Sequence, residues 1–199
     1  MRTDRLPCFH IEGYVIVSAD GMLANADHVM PDELKFEADK KFFAAALDRA
    51  DLIVHGRHSQ EDQPNSPKRK RIILTRKIAS LALDPENPMA RQWNPAGCGF
   101  EAACDYAGVH CGTAAIIGGP AVFDLFMDRY DSFWLSQAAR TCLPGGEPCF
   151  SGVPERSPQE VLAAHGLKAS ATQVLDAANN VTVTQWRRPS RAASRYASP

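Results

Sequence analysis

The chain has 199 residues, 45% of them hydrophobic and 23% charged, a balance that excludes a disordered or collagen-like protein and suits one globular domain. Its 22 basic and 23 acidic side chains leave a formal charge of −1, which excludes the bulk positive field behind non-specific nucleic-acid binding. No apolar run approaches the ~20 residues that cross a bilayer, and the first residues carry no apolar secretory segment, so no membrane association and a cytoplasmic location are expected.

The β-branched run over residues 11–18 predicts a buried strand that stops at Asp20-Gly21. From Pro31 to Arg49, Leu34, Ala38, Phe42, Ala45 and Ala46 recur near a 3.6-residue period and predict a helix, with Asp32 and Glu33 early in it. Leu52–His55 reads as a second strand ending at Gly56-Arg57-His58-Ser59, and Arg71–Thr75 as a third, entered from Lys68-Arg-Lys-Arg71. Residues 84–99 are rich in Pro and Gly and read as loop. A short helix follows at Phe100–Tyr106, a strand at Thr113–Ile117, and then Gly118-Gly119-Pro120 opening a helix over Ala121–Asp128. Asp131–Ala138 is a further strand, and Pro144-Gly-Gly146 breaks the chain. The strands Ala171–Leu175 and Val181–Trp186 are joined by a turn at Asn179-Asn180.

This order predicts an α/β fold: a mostly parallel sheet with helices on both faces and an antiparallel C-terminal edge. The domain is expected over residues 11–188, with an extension at 1–10 and a flexible tail at 189–199.

The six cysteines, at 8, 98, 104, 111, 142 and 149, are expected as free thiols in a cytoplasmic protein. No Cys-x-x-Cys pair occurs, so no metal site is expected. His10-Ile-Glu12 matches half of a zinc-deaminase signature, but Pro148-Cys149 stands without its second cysteine, and the match reads as chance.

Ligands of parallel sheets bind outside the carboxyl ends of the strands. There Gly118-Gly119 lets main chain approach an anion, and Pro120-Ala121 opens the helix behind it. Gly56-Arg57-His58-Ser59 adds a guanidinium and a hydroxyl suited to phosphate oxygens. Two such ends suggest a dinucleotide. Thr75-Arg76-Lys77 supplies a hydroxyl and two cations for a ribose 2′-phosphate, favouring NADPH over NADH. Lys68–Arg71 reads equally well as a solvated surface turn.

The pieces Val15–Ala24, Leu52–Ser59, Ile72–Arg76, Ile116–Phe123, Asp131–Leu135 and the Gly-Gly-x-Pro-x-Phe ending at Phe150 together resemble the dihydrofolate reductase superfamily. Ser18-Ala-Asp-Gly21 and Asp51 are most similar to the reductase domain of bifunctional riboflavin-biosynthesis proteins. The resemblance implies an NADPH-dependent reductase of a pterin or pyrimidine-type heterocycle. Gly118, Gly119, Pro120 and Ala121 would hold the pyrophosphate and flank the nicotinamide; Gly56, Arg57, His58 and Ser59 the phosphate and ribose; Thr75 and Arg76 the adenosine end. Residues from Ser18, itself a cofactor contact, to Leu23 would form a mobile loop beside the nicotinamide.

By the same resemblance Asp39 is the catalytic and substrate-binding carboxylate and Phe43 packs on the substrate ring, with Glu33 and Glu37 as competing carboxylates. A solvated helix-face charge beside Lys40 and Lys41 is the alternative for Asp39. Two departures disfavour dihydrofolate as substrate: the Trp-x-x-Pro element is missing at Val29-Met-Pro31, and Ile16 stands where many members have Ala.

With the first strand so near the N-terminus, no fused deaminase is expected. The reading is a stand-alone 5-amino-6-(5-phosphoribosylamino)uracil reductase-like enzyme, a homodimer by resemblance. Dihydrofolate or pteridine reduction and a non-catalytic nucleotide-binding protein are the alternatives. A nucleic-acid module using Lys68–Arg71 and Arg187–Arg195 is disfavoured by the near-zero charge. Phe133, Trp134, Trp186 and Tyr196 are apolar candidates for an interface, although the core is the commoner place for the first three.

Overall fold

The structure, a computed structural model, describes residues 9–59 and 63–189. In chain order it places β1 (Phe9–Ser18), β2 (Met22–Ala24), α1 (Glu37–Leu47), β3 (Leu52–Gly56), β4 (Arg71–Leu74), β5 (Leu81–Leu83), β6 (Ala90–Trp93) and α2 (Phe100–Tyr106). There follow β7 (Gly112–Ile116), α3 (Pro120–Leu125), β8 (Ser132–Ala138), β9 (Glu147–Pro148), α4 (Pro158–Ala164), β10 (Lys168–Asp176) and β11 (Val181–Arg187). Nine strands form one sheet in the order β10-β11-β8-β1-β7-β3-β4-β6-β5.

The strands from β8 to β6 run parallel. The C-terminal edge is antiparallel, as the sequence predicts, because β11 returns along β8 and β10 along β11. The opposite edge is antiparallel too, through β5 on β6. The mostly parallel α/β architecture is therefore the observed one.

Alternation along β1 explains the layering, since successive side chains point to opposite faces. Ile11, Val15 and Val17 join the large core cluster with Phe100, Phe123, Phe126, Phe133 and Phe150, against which α2, α3 and α4 pack. Tyr14 faces the other way, joining Ala46 and Leu47 of α1 with Ile53 and Ala115. A central strand buried on both faces needs such a continuous apolar run. Gly13 is required by its neighbour: a Cβ there would lie 2.1 Å from the Phe133 ring. Trp134 stacks on Tyr14 at 6.4 Å between ring centroids, and Phe133 and Trp186 are buried, so these three serve the core. Tyr196 lies outside the described residues.

Several expectations need correction. The first helix starts at Glu37, not Pro31: Asp32–Leu34 make one 3₁₀ turn, and Phe36 is extended before α1. The segment 84–99 is not all loop, because β6 lies within it and pairs with β4. Ala90-Arg-Gln-Trp93 is too short and too polar at its centre for a periodic signal. The helix α4 adds to the expected elements, and a capping box starts it, with Ser157 accepting from the Glu160 N–H and Glu160 bonding back to Ser157.

Cys98, Cys104, Cys142 and Cys149 are free thiols, but Cys111 is disulfide-bonded, which corrects the expectation for that residue. Compartment logic carries no information about which sulfurs a sheet brings together. Cys8 lies outside the described residues.

The basic cluster is a solvated turn only at Lys68 and Lys70, which are exposed. Arg69 and Arg71 are buried: Arg69 bonds Asp48 at the end of α1, and Arg71 bonds Ser66. Two of the cations that a nucleic-acid interface would need are thus spent inside the fold. Arg188, near the other basic stretch, donates to the carbonyls of Tyr130, His165 and Met127.

Candidate functional site

The strand order sets β7 between β1 and β3, so the carboxyl ends of these strands open onto one crevice. At the end of β7, Gly118 has φ +98, and a Cβ on it would fall 2.8 Å from the Phe123 ring. Only glycine accommodates both conditions. The Gly118–Gly119 peptide is cis. Gly56, at the end of β3, donates its N–H to the Gly118 carbonyl at 2.7 Å, and the two glycine strand ends meet there. Ser59 closes a turn by donating its N–H to the Gly56 carbonyl at 3.1 Å. Its Oγ lies 3.1 Å from the point where a Gly119 Cβ would stand, so main chain and hydroxyl line one narrow cradle.

Pro120 and Ala121 open α3 beside this cradle, and Arg57 and His58 are exposed at its rim. Thr75 follows Leu74, the register partner of Gly56, and so lies one strand away. The Thr75 hydroxyl is buried and accepts from the Lys77 N–H at 3.2 Å, which assigns it to shaping the turn. Arg76 and Lys77 are exposed there.

Ser18 is placed differently from the expectation. It is fully buried; its hydroxyl donates to Asp20 at 2.5 Å and accepts from the Met22 N–H at 3.0 Å. That side chain is committed to the turn rather than to a ligand. Asp20 in turn accepts from the Leu143 N–H, and these hydrogen bonds pull its carboxyl below the usual carboxylate range despite the opposing effect of burial. With β2 paired to β9, the segment Ser18–Leu23 is pinned. The exposed stretch comes later, at Ala26–Met30, where Val29 and Met30 present apolar surface. A cleft of about 390 Å³ separates that stretch from α3, with Asn25, His28 and Glu147 facing Pro120, Ala121 and Asp124.

On the opposite face of the sheet, α1 carries Asp39 half-buried toward β8. Burial raises its pKa, and a hydrogen bond with Ser136 opposes the rise without cancelling it. This placement differs from the solvated alternative. Glu33 and Glu37 are exposed, and Glu37 faces Lys41 at 3.9 Å, so neither shares that environment. Phe43 lies one turn along α1, edge-on to Tyr14 at 6.4 Å. Ser136 was invisible in the sequence, because only the register Ile16↔Ser136 places it by the sheet end.

Ile16 is buried with Leu34, Ala138 and Val181, and with Phe36 partly buried against them. Ile16→Ala is expected to cost about 2–5 kcal/mol of stability, as for other truncations in a packed core. Urea unfolding checks this, and a cost below the lower bound would mean the site collapses freely.

Among the described residues, no group of three or more His, Cys, Asp or Glu side chains is placed to hold a metal ion.

No protein-family model matches the sequence, and no curated protein matches it. Solved structures do. A protein assigned to riboflavin biosynthesis from Shewanella sp. PV-4 superposes with TM-score 0.64 at 18% identity, over 91% of this chain and 99% of that one. The dihydrofolate reductase of Enterococcus faecalis, complexed with NADP(H) and RAB-propyl, gives TM-score 0.61 at 18% identity, over 90% and 96%. The Thermotoga maritima diaminohydroxyphosphoribosylaminopyrimidine deaminase/5-amino-6-(5-phosphoribosylamino)uracil reductase gives 0.60 at 15% identity, over 90% of this chain and 56% of that longer one. The strand order, the antiparallel C-terminal edge and these superpositions together establish that the chain has the dihydrofolate reductase-like fold.

Proposed function

We propose that this chain is an NADPH-dependent reductase of a pyrimidine or pterin-type heterocycle, of the riboflavin-biosynthesis kind. The observation that carries the reading is the junction of two glycine strand ends, Gly56 N–H to Gly118 carbonyl, with Ser59 facing Gly119. Side chains larger than hydrogen would fill this cradle; Arg57 follows Gly56 and is exposed, and Arg76 and Lys77 are exposed after the neighbouring strand β4. The residues therefore fit a pyrophosphate and a 2′-phosphate: Gly118, Gly119 and Ser59 for the first, Arg76 and Lys77 for the second. Bound there, NADPH would supply a hydride. The neighbours' own names, a dihydrofolate reductase complexed with NADP(H), a 5-amino-6-(5-phosphoribosylamino)uracil reductase and a riboflavin biosynthesis protein, support the same reading.

Asp39 holds the proton in this scheme. A carboxyl whose pKa is raised by burial stays protonated to higher pH, which suits donation to a ring nitrogen or carbonyl oxygen as the hydride arrives. Ile16 and Leu34, packed at the same sheet end, leave less room than an Ala would, which favours a one-ring over a two-ring substrate. The same packing also favours a second reading, a nucleotide-binding protein without catalysis.

NADPH oxidation measured with aminopyrimidine, pterin and small carbonyl substrates tests the proposal. Turnover of an aminopyrimidine supports it; saturable NADPH binding with no turnover of any of them favours the second reading. Arg76→Ala is expected to weaken NADPH about tenfold while leaving NADH unchanged, since a lost phosphate contact of this kind is worth roughly 1–3 kcal/mol. Equal losses for both cofactors would remove Arg76 from the 2′-phosphate site.

A further inference from the structure

We infer that His55 is a positioning residue for the phosphate-binding strand end at Gly56–Ser59, acting through a buried relay that ties this strand end to the turn at Ser66. The inference rests on the cofactor reading above and goes beyond it to a residue that does not touch the ligand.

His55 is buried next to Gly56, and its Nδ1 lies 2.8 Å from the Gly56 carbonyl oxygen. Its Nε2 lies 3.3 Å from Nη1 of Arg71, which is also buried. Arginine offers donors only, so Nε2 must be the accepting nitrogen and the ring proton must sit on Nδ1, where it donates to the Gly56 carbonyl. Arg71 is held in turn by Ser66, through its carbonyl at 2.8 Å and its hydroxyl at 2.9 Å. Gly56 leads into Arg57, His58 and Ser59, and Ser66 opens the 3₁₀ turn that precedes β4. The relay Ser66–Arg71–His55–Gly56 thus fastens the end of β3 to the 3₁₀ turn before β4 from inside the fold.

The Gly56 unit is fixed from two sides. Its N–H is spent on the Gly118 carbonyl, and its carbonyl receives His55 and the Ser59 N–H. The peptide plane at Gly56 sets the direction in which Arg57 leaves the sheet and the depth at which Ser59 meets Gly119. A residue that fixes this plane governs the affinity for the phosphate-bearing part of the cofactor without contacting it.

The test is the dissociation constant of NADPH and of 2′,5′-ADP, measured on the whole protein with His55→Leu and His55→Asn, alongside melting temperature. His55→Leu is expected to weaken both ligands at least tenfold. His55→Asn, whose amide N–H can stand where Nδ1–H stood, is expected to recover affinity to within about threefold of the parent. A purely structural role would lower the melting temperature in both variants without this split. Should His55→Leu fail to fold, Arg71→Lys keeps the charge, loses the fork, and carries the same expectation. Tight binding by His55→Leu, within twofold of the parent, overturns the inference while leaving the cofactor reading intact. A parent protein that binds neither ligand overturns both.

Discussion

Asp39→Asn is expected to lower turnover on any accepted substrate by about 10²–10⁴-fold, the range found when a positioned general acid is removed. The pH dependence should change as well. Burial lifts the Asp39 pKa above the ordinary carboxylate value, so the proton donor is present below the raised pKa and lost as pH rises through it. The parent rate should accordingly be flat at low pH and decline through that value, and the asparagine variant should show no such inflection. Linkage gives the sign for stability. A carboxyl whose folded pKa is raised contributes stability below its unfolded pKa, and that contribution disappears as pH rises through the folded value. Asparagine stays neutral throughout, so the variant should be at least as stable as the parent at neutral pH. Unchanged turnover in the folded variant would remove Asp39 from the mechanism, and unfolding at neutral pH would contradict the stability expectation.

Gly118→Ala is expected to abolish cofactor binding and to destabilise the fold. An alanine at φ +98 costs about 1–2 kcal/mol in backbone conformation alone. Its Cβ would also lie 2.8 Å from the Phe123 ring, at the heart of the aromatic cluster that includes Phe133 and Phe150. Relief requires the end of β7 to move, and with it the bond to Gly56. Gly108→Ala is the control: φ is +66, but the nearest atom to its Cβ is Lys70 Nζ at 3.8 Å, on the far side of β7 from the crevice. It should carry the backbone cost and leave NADPH binding unchanged. Chemical denaturation and NADPH fluorescence titration on the two variants separate the effects.

What the sequence could convey follows from the range of each signal. Buried parallel strands such as Leu52–Gly56 and Gly112–Ile116 announce themselves through unbroken apolar and β-branched runs, and the glycines at their ends mark the crevice. Four-residue β6 and two-residue β9 have no such run; they exist because β4 and β2 offer them a hydrogen-bonding edge. The extended Phe36 delays α1, although the apolar spacing from Leu34 onward looks helical. Site residues divide the same way. Gly118, Gly119, Gly56 and Ser59 sit at places defined by local turns, and the structure brings them together. Ser18 and Thr75 have the right chemistry at strand ends, yet their hydroxyls turn inward to hold their own loops. Ser136, His55 and Arg71 acquire their partners through register across the sheet, which spacing along the chain does not encode.

Whether the crevice at Gly56 and Gly118 holds NADPH is read most simply by direct titration. With dihydronicotinamide fluorescence followed at rising NADPH and, separately, NADH, the expected result is saturable binding of NADPH at micromolar concentration, weaker binding of NADH, and displacement by 2′,5′-ADP. Absence of saturable binding of either dinucleotide at these concentrations would contradict it.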